Sequence, residues 1–269
     1  MSIIESTITA FVSVISNKMR TFLTMLGIII GISSVIMVTS LGKGSKEKIT
    51  NEFNKFGVSI IKVSLKDSVN ARIKDILTLD DEKRIRSYPN VKRVSPLYDM
   101  WGVDVKLQKP KETRKSVLKG VNGEYRHINE LELIKGRFLT EIDNETRNKV
   151  CIISNTLSKK TFGIVDSVGK EIYAKTWRGT YKYKVVGIYK DNNALMSKLF
   201  GDNFPAFIYL PIKTIQAITN TDDVNTFYVS VAKNEDINDA TIGINKILEI
   251  KHKNQDKYIV ENVMKNLEQ

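Results

Sequence analysis

Residues Phe22 to Leu41 read FLTMLGIIIGISSVIMVTSL, twenty positions without a charge. As an α-helix this run rises about 30 Å, the thickness of a bilayer's hydrocarbon core. It is longer than the apolar core of a secretory signal, and no small-residue cleavage pattern follows it. It therefore reads as an uncleaved anchor. The sequence after Gly42 is polar and mixed, and long enough to bury a core of its own. The expected layout is one membrane span near the N-terminus followed by one large aqueous domain.

On the N-terminal side of the run, Ile3 to Ser16 (IIESTITAFVSVIS) carries one charge, Glu5, and is too short to span. It fits either an amphipathic helix lying in the membrane interface or a helical extension of the span, with a break at Asn17-Lys18. Inside the run, Gly27 and Gly31 form G-x-x-x-G. Paired glycines let two helix backbones approach closely in lipid, although glycine is also an ordinary component of membrane helices. On the C-terminal side, Ile49, Phe53 and Phe56 recur at helical spacing among charged residues. The helix is expected to continue into water as a stalk ending at Gly57, a suitable C-cap. From Phe22 to Phe56 it would be about 50 Å long. Lys18 and Arg20 precede the span and Lys43, Lys46 and Lys48 follow it, so charge alone does not fix its orientation.

The net charge of +12 is spread along the chain without a basic block. That pattern suits a solvated surface leaning toward anionic lipid, and no nucleic-acid partner is expected. Cys151 is the only cysteine, so no intramolecular disulfide can form. His127 and His252 have no Cys or carboxylate at zinc-ligand spacing.

Beyond the stalk, Ser59 to Leu65 alternates as a strand. Thr78 to Tyr88 begins with Thr78 and Asp81 at capping-box spacing and stops at Pro89, so it reads as a helix. Val91 to Lys106 reads as extended. Near the end of the chain, Thr226 to Ala232 and Tyr258 to Val263 read as strands flanking a helix from Glu235 to His252, despite Gly243. Two β-α-β halves are thus expected to close on one another. Between them lie probable strands at Ser116 to Gly120, Val150 to Ser154, Glu171 to Ala174, Tyr181 to Tyr189 and Phe207 to Leu210. Short helices are expected at Gly123 to Asn129 and Asn155 to Phe162. The fold class is α+β, with a β-rich insertion between the halves.

Catalytic signatures are weak. Gly163 to Glu171 (GIVDSVGKE) has the wrong glycine spacing for a P-loop and Glu171 where Ser or Thr would hold magnesium. Asp80 and Asp81 suit the start of a helix better than acid–base chemistry. Trp101 and Trp177 fit packing better than ligand stacking. No residue recommends itself as catalytic.

Asn17 to Gly44 (NKMRTFLTMLGIIIGISSVIMVTSLGKG) resembles the first transmembrane segment of MacB/FtsX-type ABC transporter permeases. The basic pair, the LTMLGIIIG core and the G-x-G that opens the stalk carry the likeness. Leu77 to Pro96, Gly120 to Gly163 with GRFLTEID at Gly136 to Asp143, and Tyr183 to Pro211 with VVGI and IYLPI resemble the MacB-like periplasmic core domain. Gly136, Arg137, Phe138, Gly187 and Pro211 are the motif positions, read as structural. The resemblance implies a cytoplasmic interfacial helix (1–20) and a transmembrane and stalk helix (21–56). A Porter-like subdomain (57–106 and 223–269) would follow, interrupted by a Sabre-like insertion (107–222).

The same resemblance places the N-terminus in the cytoplasm and the large domain outside the inner membrane. It implies a non-catalytic permease, with ATP and Mg on a partner ABC ATPase. A second permease copy and a membrane-fusion or accessory protein are further implied partners. Export of peptides, antibiotics or lipoproteins by mechanotransmission would be the function. Family permeases carry three further spans after this domain, and this sequence stops about where the second would begin. A truncated, split or degenerate permease is one reading. The alternative is a stand-alone anchored binding or sensing module.

Overall fold

The structure is a computed structural model that describes residues 12, 16–55, 59–107, 112–192, 201, 204–232 and 236–263. The chain divides into two compact units, residues 1–56 and 57–269.

The first unit is built on helix α1 (Lys18–Lys55), 38 residues without interruption and about 57 Å long. Its apolar part, Lys18–Gly44, is long enough to cross a bilayer and buries none of its surface within the chain. Three of the hydroxyls in the span are satisfied locally. Thr24 donates to the Arg20 carbonyl at 3.1 Å, Ser34 to Gly31 at 2.8 Å and Thr39 to Val35 at 2.9 Å. Hydrocarbon offers no partner, so such internal bonds are what lipid exposure requires. The expected break is a turn at Asn17. The proposed interfacial helix lies mostly outside the described residues, as does Phe56.

The second unit starts from four strands and two helices. Strand β1 (Ser59–Leu65) leads to helix α2 (Leu79–Arg86) and strand β2 (Val91–Lys106). The other half contributes β9 (Thr226–Val231), α7 (Ile237–His252) and β10 (Tyr258–Asn262). The strand order is β10-β1-β9-β2, every neighbour antiparallel. Each helix therefore joins two parallel strands with a strand of the other half between them. The halves interleave as two split β-α-β units, the ferredoxin-like arrangement. Helices α2 and α7 cover one face over Ile61, Val63, Val94, Phe227, Val229, Ile244 and Leu248.

Two local rules explain the helices. Asp81 accepts from the Thr78 backbone N–H at 2.8 Å and from its hydroxyl at 3.2 Å, closing the capping box seen in the sequence. Gly243 sits inside α7 because the Tyr88 ring packs against it, and a Cβ there would overlap that ring. Tyr88 also donates from its hydroxyl to the Asp239 carboxylate at 3.1 Å.

The insertion adds β3 (Thr113–Val121), α3 (Tyr125–Ile128), β4 (Leu133–Gly136), α4 (Glu141–Glu145), β5 (Val150–Ser154) and α5 (Asn155–Phe162). It continues with β6 (Glu171–Thr176), β7 (Gly179–Tyr189), β8 (Ala206–Pro211) and α6 (Ile212–Thr219). Strands β4 and helices α4 and α6 were not evident from sequence pattern.

Strand β2 pairs with β9 through its first half and with β3 and β6 through its second. From there the pairing runs β2-β3-β8-β5-β7-β6 and returns to β2. The six strands close into a small barrel, which removes the open edges a β-rich insertion would otherwise present. Its interior is filled by Val103, Val105, Leu118, Cys151, Ile172, Tyr183, Val185 and Ile208, all buried. A third cluster, with Leu97, Tyr125, Phe138, Ile152 and Tyr209, joins the barrel to the far face of the ferredoxin-like sheet.

Candidate functional site

The motif residues from separate parts of the sequence meet at one corner of the second unit. Strand β4 ends at Gly136, whose φ of +75° favours glycine. A Cβ at Gly136 would overlap the Val186 carbonyl oxygen, and one at Gly187 would overlap the Arg137 carbonyl oxygen. The two glycines thus let β4 and β7 cross at backbone contact, sealed by the Arg137 N–H bond to Val186 at 2.9 Å. Phe138 turns into the third core cluster.

Arg137 and Asp143 lock the following turn. The guanidinium donates to both Asp143 carboxylate oxygens, at 2.5 and 3.1 Å. The same carboxylate accepts from the Thr140 N–H at 3.0 Å, the Thr140 hydroxyl at 2.7 Å and the Asn148 amide at 3.2 Å. Burial alone would raise the acid's pKa. The bonds from Arg137, Thr140 and Asn148 outweigh it and hold Asp143 well below the usual carboxylate range. Hydrogen bonding to Asp143 in turn raises the Arg137 pKa.

Pro211 ends β8 and caps α6. Helix α6 is tied to α4 by the Lys213 N–H bond to Asn144 at 3.2 Å and by the Lys213–Glu145 ion pair at 2.6 Å. The five motif positions Gly136, Arg137, Phe138, Gly187 and Pro211 therefore belong to one bonded corner. Nothing in it resembles a reacting centre; its groups are committed to each other.

A second polar joint ties α2 to the insertion. Asn122 donates to the Val94 carbonyl and to Glu82, both at 3.1 Å, and Arg86 donates to Glu82 at 2.8 Å. Burial pushes the Glu82 carboxyl above its ordinary value. Beside this joint, Tyr125 stacks between Tyr209 and Tyr228 at 5.4 and 6.1 Å between centroids. Asp81 is fully buried and joins α2 to α7, meeting His252 Nε2 at 3.0 Å and Lys251 at 2.6 Å. Asp80 is exposed.

Other sequence candidates fall apart in space. In the P-loop-like stretch, Gly163 is the left-handed C-cap of α5, bonded to the Lys159 carbonyl, and the chain then turns into β6. His127 is exposed while His252 is buried beside Asp81. Among the described residues no group of three His, Cys, Asp or Glu is placed to hold a metal. Burial pushes the Cys151 thiol up, so it is a packed core residue. A cleft beside Arg114, Ser154, Lys160 and Tyr189 encloses about 10 Å³, room for roughly one water. A Cβ at Gly27 or Gly31 on α1 would meet no atom within 4 Å beyond the helix's own backbone among the described residues. Ile49 and Phe53 lie in the C-terminal part of α1.

An apolar helix long enough to span a membrane, followed by an α+β unit whose motif residues are spent on rigidity, defines the layout of a membrane-anchored α+β domain. The MacB-like periplasmic core domain family matches residues 21–247, and the chain belongs to that family. It is 31% identical to the macrolide export ATP-binding/permease protein MacB of Neisseria meningitidis serogroup A over 92% of this chain and 37% of that protein. It is 26% identical to the uncharacterized ABC transporter permease YknZ of Bacillus subtilis, over 98% of this chain and 65% of that one. The chain thus spans between about a third and two thirds of the length of these relatives. In fold it is similar to the periplasmic region of MacB from Actinobacillus actinomycetemcomitans (TM-score 0.63, 18% identity, 79% of this chain and 92% of that one). It is also similar to the extracellular domain of YknZ from Gram-positive bacteria (TM-score 0.61, 20% identity, 76% of this chain and 100% of that one).

Proposed function

We propose that this chain acts in the permease of a MacB-like transporter, relaying ATP-driven movement from the cytoplasm to its extracytoplasmic domain. The observation that carries this reading is the uninterrupted helix α1. It extends well past the apolar span, and three residues separate its end at Lys55 from the start of β1 at Ser59. A flexible Gly/Ser tether would let the domain drift independently of the span, whereas a helix transmits displacement along its axis. The N-terminus would be cytoplasmic and the β-rich unit outside. ATP and Mg would be held by a partner ABC ATPase, as the MacB relatives' description as ATP-binding/permease proteins suggests. A second permease copy would pack against Gly27 and Gly31, and an accessory protein would meet the outer domain. Peptides, antibiotics or lipoproteins are the cargo this reading entails.

Detergent extraction from the native membrane, affinity capture of this chain and mass spectrometry test the proposal. Recovery of a P-loop ATPase is the expected result. Recovery of the chain alone, or only with itself, would overturn it in favour of an independent anchored module.

A further inference from the structure

The outer wall of the barrel gathers cations and aromatic rings that no part of the proposed relay uses. Outward residues of β3, β2, β6 and β7 line up in cross-strand rows. One row is Lys115–Asp104–Lys175–Thr180; the next is Thr113–Lys106–Tyr173–Lys182, with Glu171 and Lys184 beside it. The residues on the other face of these strands fill the barrel, so the outward side chains have nowhere to pack.

The sequence has two tryptophans. Trp177 directly follows β6, two residues on from the outward Lys175, and Trp101 lies on β2 at the irregularity between Met100 and Val103. Trp101 and Trp177 are 63% and 68% exposed, and Tyr173 is 42% exposed. The Arg178 guanidinium lies 4.5 Å from the Trp177 ring centroid, and the Lys106 ammonium 6.0 Å from that of Tyr173.

The charge balance is one-sided. Asp104 pairs with Lys115 and Glu171 with Lys182, each at 3.0 Å. Lys106, Lys175, Lys184 and Arg178 have no acidic partner among the described residues. Four cations are thus left unneutralised around exposed aromatic rings.

This composition selects among partners. Lysine is depleted at protein–protein interfaces, where it is costly to desolvate. A polymer that stays hydrated meets lysines without that cost, through displaced counterions. Neighbouring strands stand roughly 5 Å apart and alternate residues roughly 7 Å, so successive charges of an extended chain meet different lysines. The aromatic faces suit carbon-rich segments between those charges.

We propose that this wall binds a linear phosphodiester polymer with a polyol or sugar backbone. The choice of that polymer over a nucleic acid rests on the extracytoplasmic placement proposed above; the basic aromatic wall itself does not.

Because Trp177 adjoins the outward row of β6, tryptophan emission reports binding directly. The full chain in neutral-lipid nanodiscs would be titrated with poly(glycerol phosphate). The expected result is a saturable emission change whose affinity falls at least about tenfold between roughly 50 and 300 mM salt. The variant Lys106→Glu/Lys175→Glu/Lys184→Glu should bind at least about tenfold more weakly. Trp177→Ala, which keeps every charge, should lose about threefold or more in affinity together with part of the signal.

No saturable binding by wild type overturns the proposal, as does a triple variant within about twofold of wild type with its thermal unfolding unchanged. Should the triple variant fail to fold, Trp177→Ala decides by the same twofold limit. Tighter binding of polyglutamate, a single-stranded oligonucleotide or phosphatidylglycerol vesicles also overturns it, in favour of an acidic protein, a nucleic acid or a membrane surface. None of these outcomes bears on ATPase capture, so the two proposals fail separately.

Discussion

Replacing Asp143 with Asn keeps the shape of the side chain at the motif corner and removes its charge. Asp143 is 2% exposed and faces five donors. Three of them, Arg137 Nη1 and the Thr140 N–H and hydroxyl, converge on Oδ2. The other two, Arg137 Nη2 and the Asn148 amide, meet Oδ1. An asparagine oxygen placed at the Oδ2 position leaves its own NH2 group pointing at the remaining two donors. The reverse placement is worse. Two charge-assisted hydrogen bonds are lost, from the half-exposed Arg137 and the exposed Asn148, whose donors can turn to water.

Such losses cost about 1 to 3 kcal/mol each. Arg137 is half exposed and can be rehydrated, so the upper end is discounted. The expected total is about 1 to 3 kcal/mol. In a unit of this size that corresponds to a fall in Tm of roughly 2 to 12 °C.

The pH dependence has a definite sign. A carboxyl whose folded pKa is depressed stabilises fully above its unfolded value, and that stability disappears as pH falls through the folded value. The folded Asp143 carboxyl titrates below the ordinary aspartate value of about 3.9. The gap between wild type and Asp143→Asn should therefore be constant near neutrality and shrink below about pH 4. Urea unfolding of the full chain in detergent, followed by tryptophan emission at several pH values, measures both quantities. A loss under about 0.5 kcal/mol at neutral pH, or a gap that widens on acidification, would refute the reasoning.

Gly187→Ala should destabilise the second unit by about 1 to 3 kcal/mol, because the new Cβ meets a backbone carbonyl that can withdraw only by opening the β4–β7 crossing; thermal unfolding measures it. Asp81→Ala should cost about 3 kcal/mol or more by leaving Lys251, His252 and Thr78 without their shared acceptor, with a loss under about 1 kcal/mol telling against a hub role. Gly27→Leu/Gly31→Leu should leave that unit's stability unchanged while reducing crosslinking between α1 helices in membranes; unchanged crosslinking would show that this face does not pack.

The sequence made some of these elements plain and hid others. Thr78 and Asp81 announced a helix start because a capping box needs only four consecutive residues. The GRFLTEID segment showed Thr140 and Asp143 at the same spacing, yet α4 went unread because it is a single turn without an apolar stripe. Gly187 stood out only as a motif position inside a strand pattern. Its reason is the Arg137 carbonyl fifty residues earlier, which no local pattern contains. The basic wall had a visible signal in Lys175 to Lys184 (KTWRGTYKYK), where Lys175 and Trp177, and again Lys182 and Lys184, stand two residues apart. Strand alternation says that such residues share a face, but not which other strands lie beside them.

The sequence by itself determined the span, the continuation of its helix, the positions of most strands and the family motifs. Each of these depends on composition or on contacts within one or two turns of chain. The tertiary structure decided what pairs with what. It interleaved two halves separated by the whole insertion, and it closed β2, β3, β8, β5, β7 and β6 into a barrel. It also brought Gly136 to Gly187. A period of two fixes which side of a strand is buried and leaves its partner free. Partner choice is settled by burying all the apolar faces at once, with loop-closure entropy opposing each long-range pairing, and that condition belongs to the whole fold.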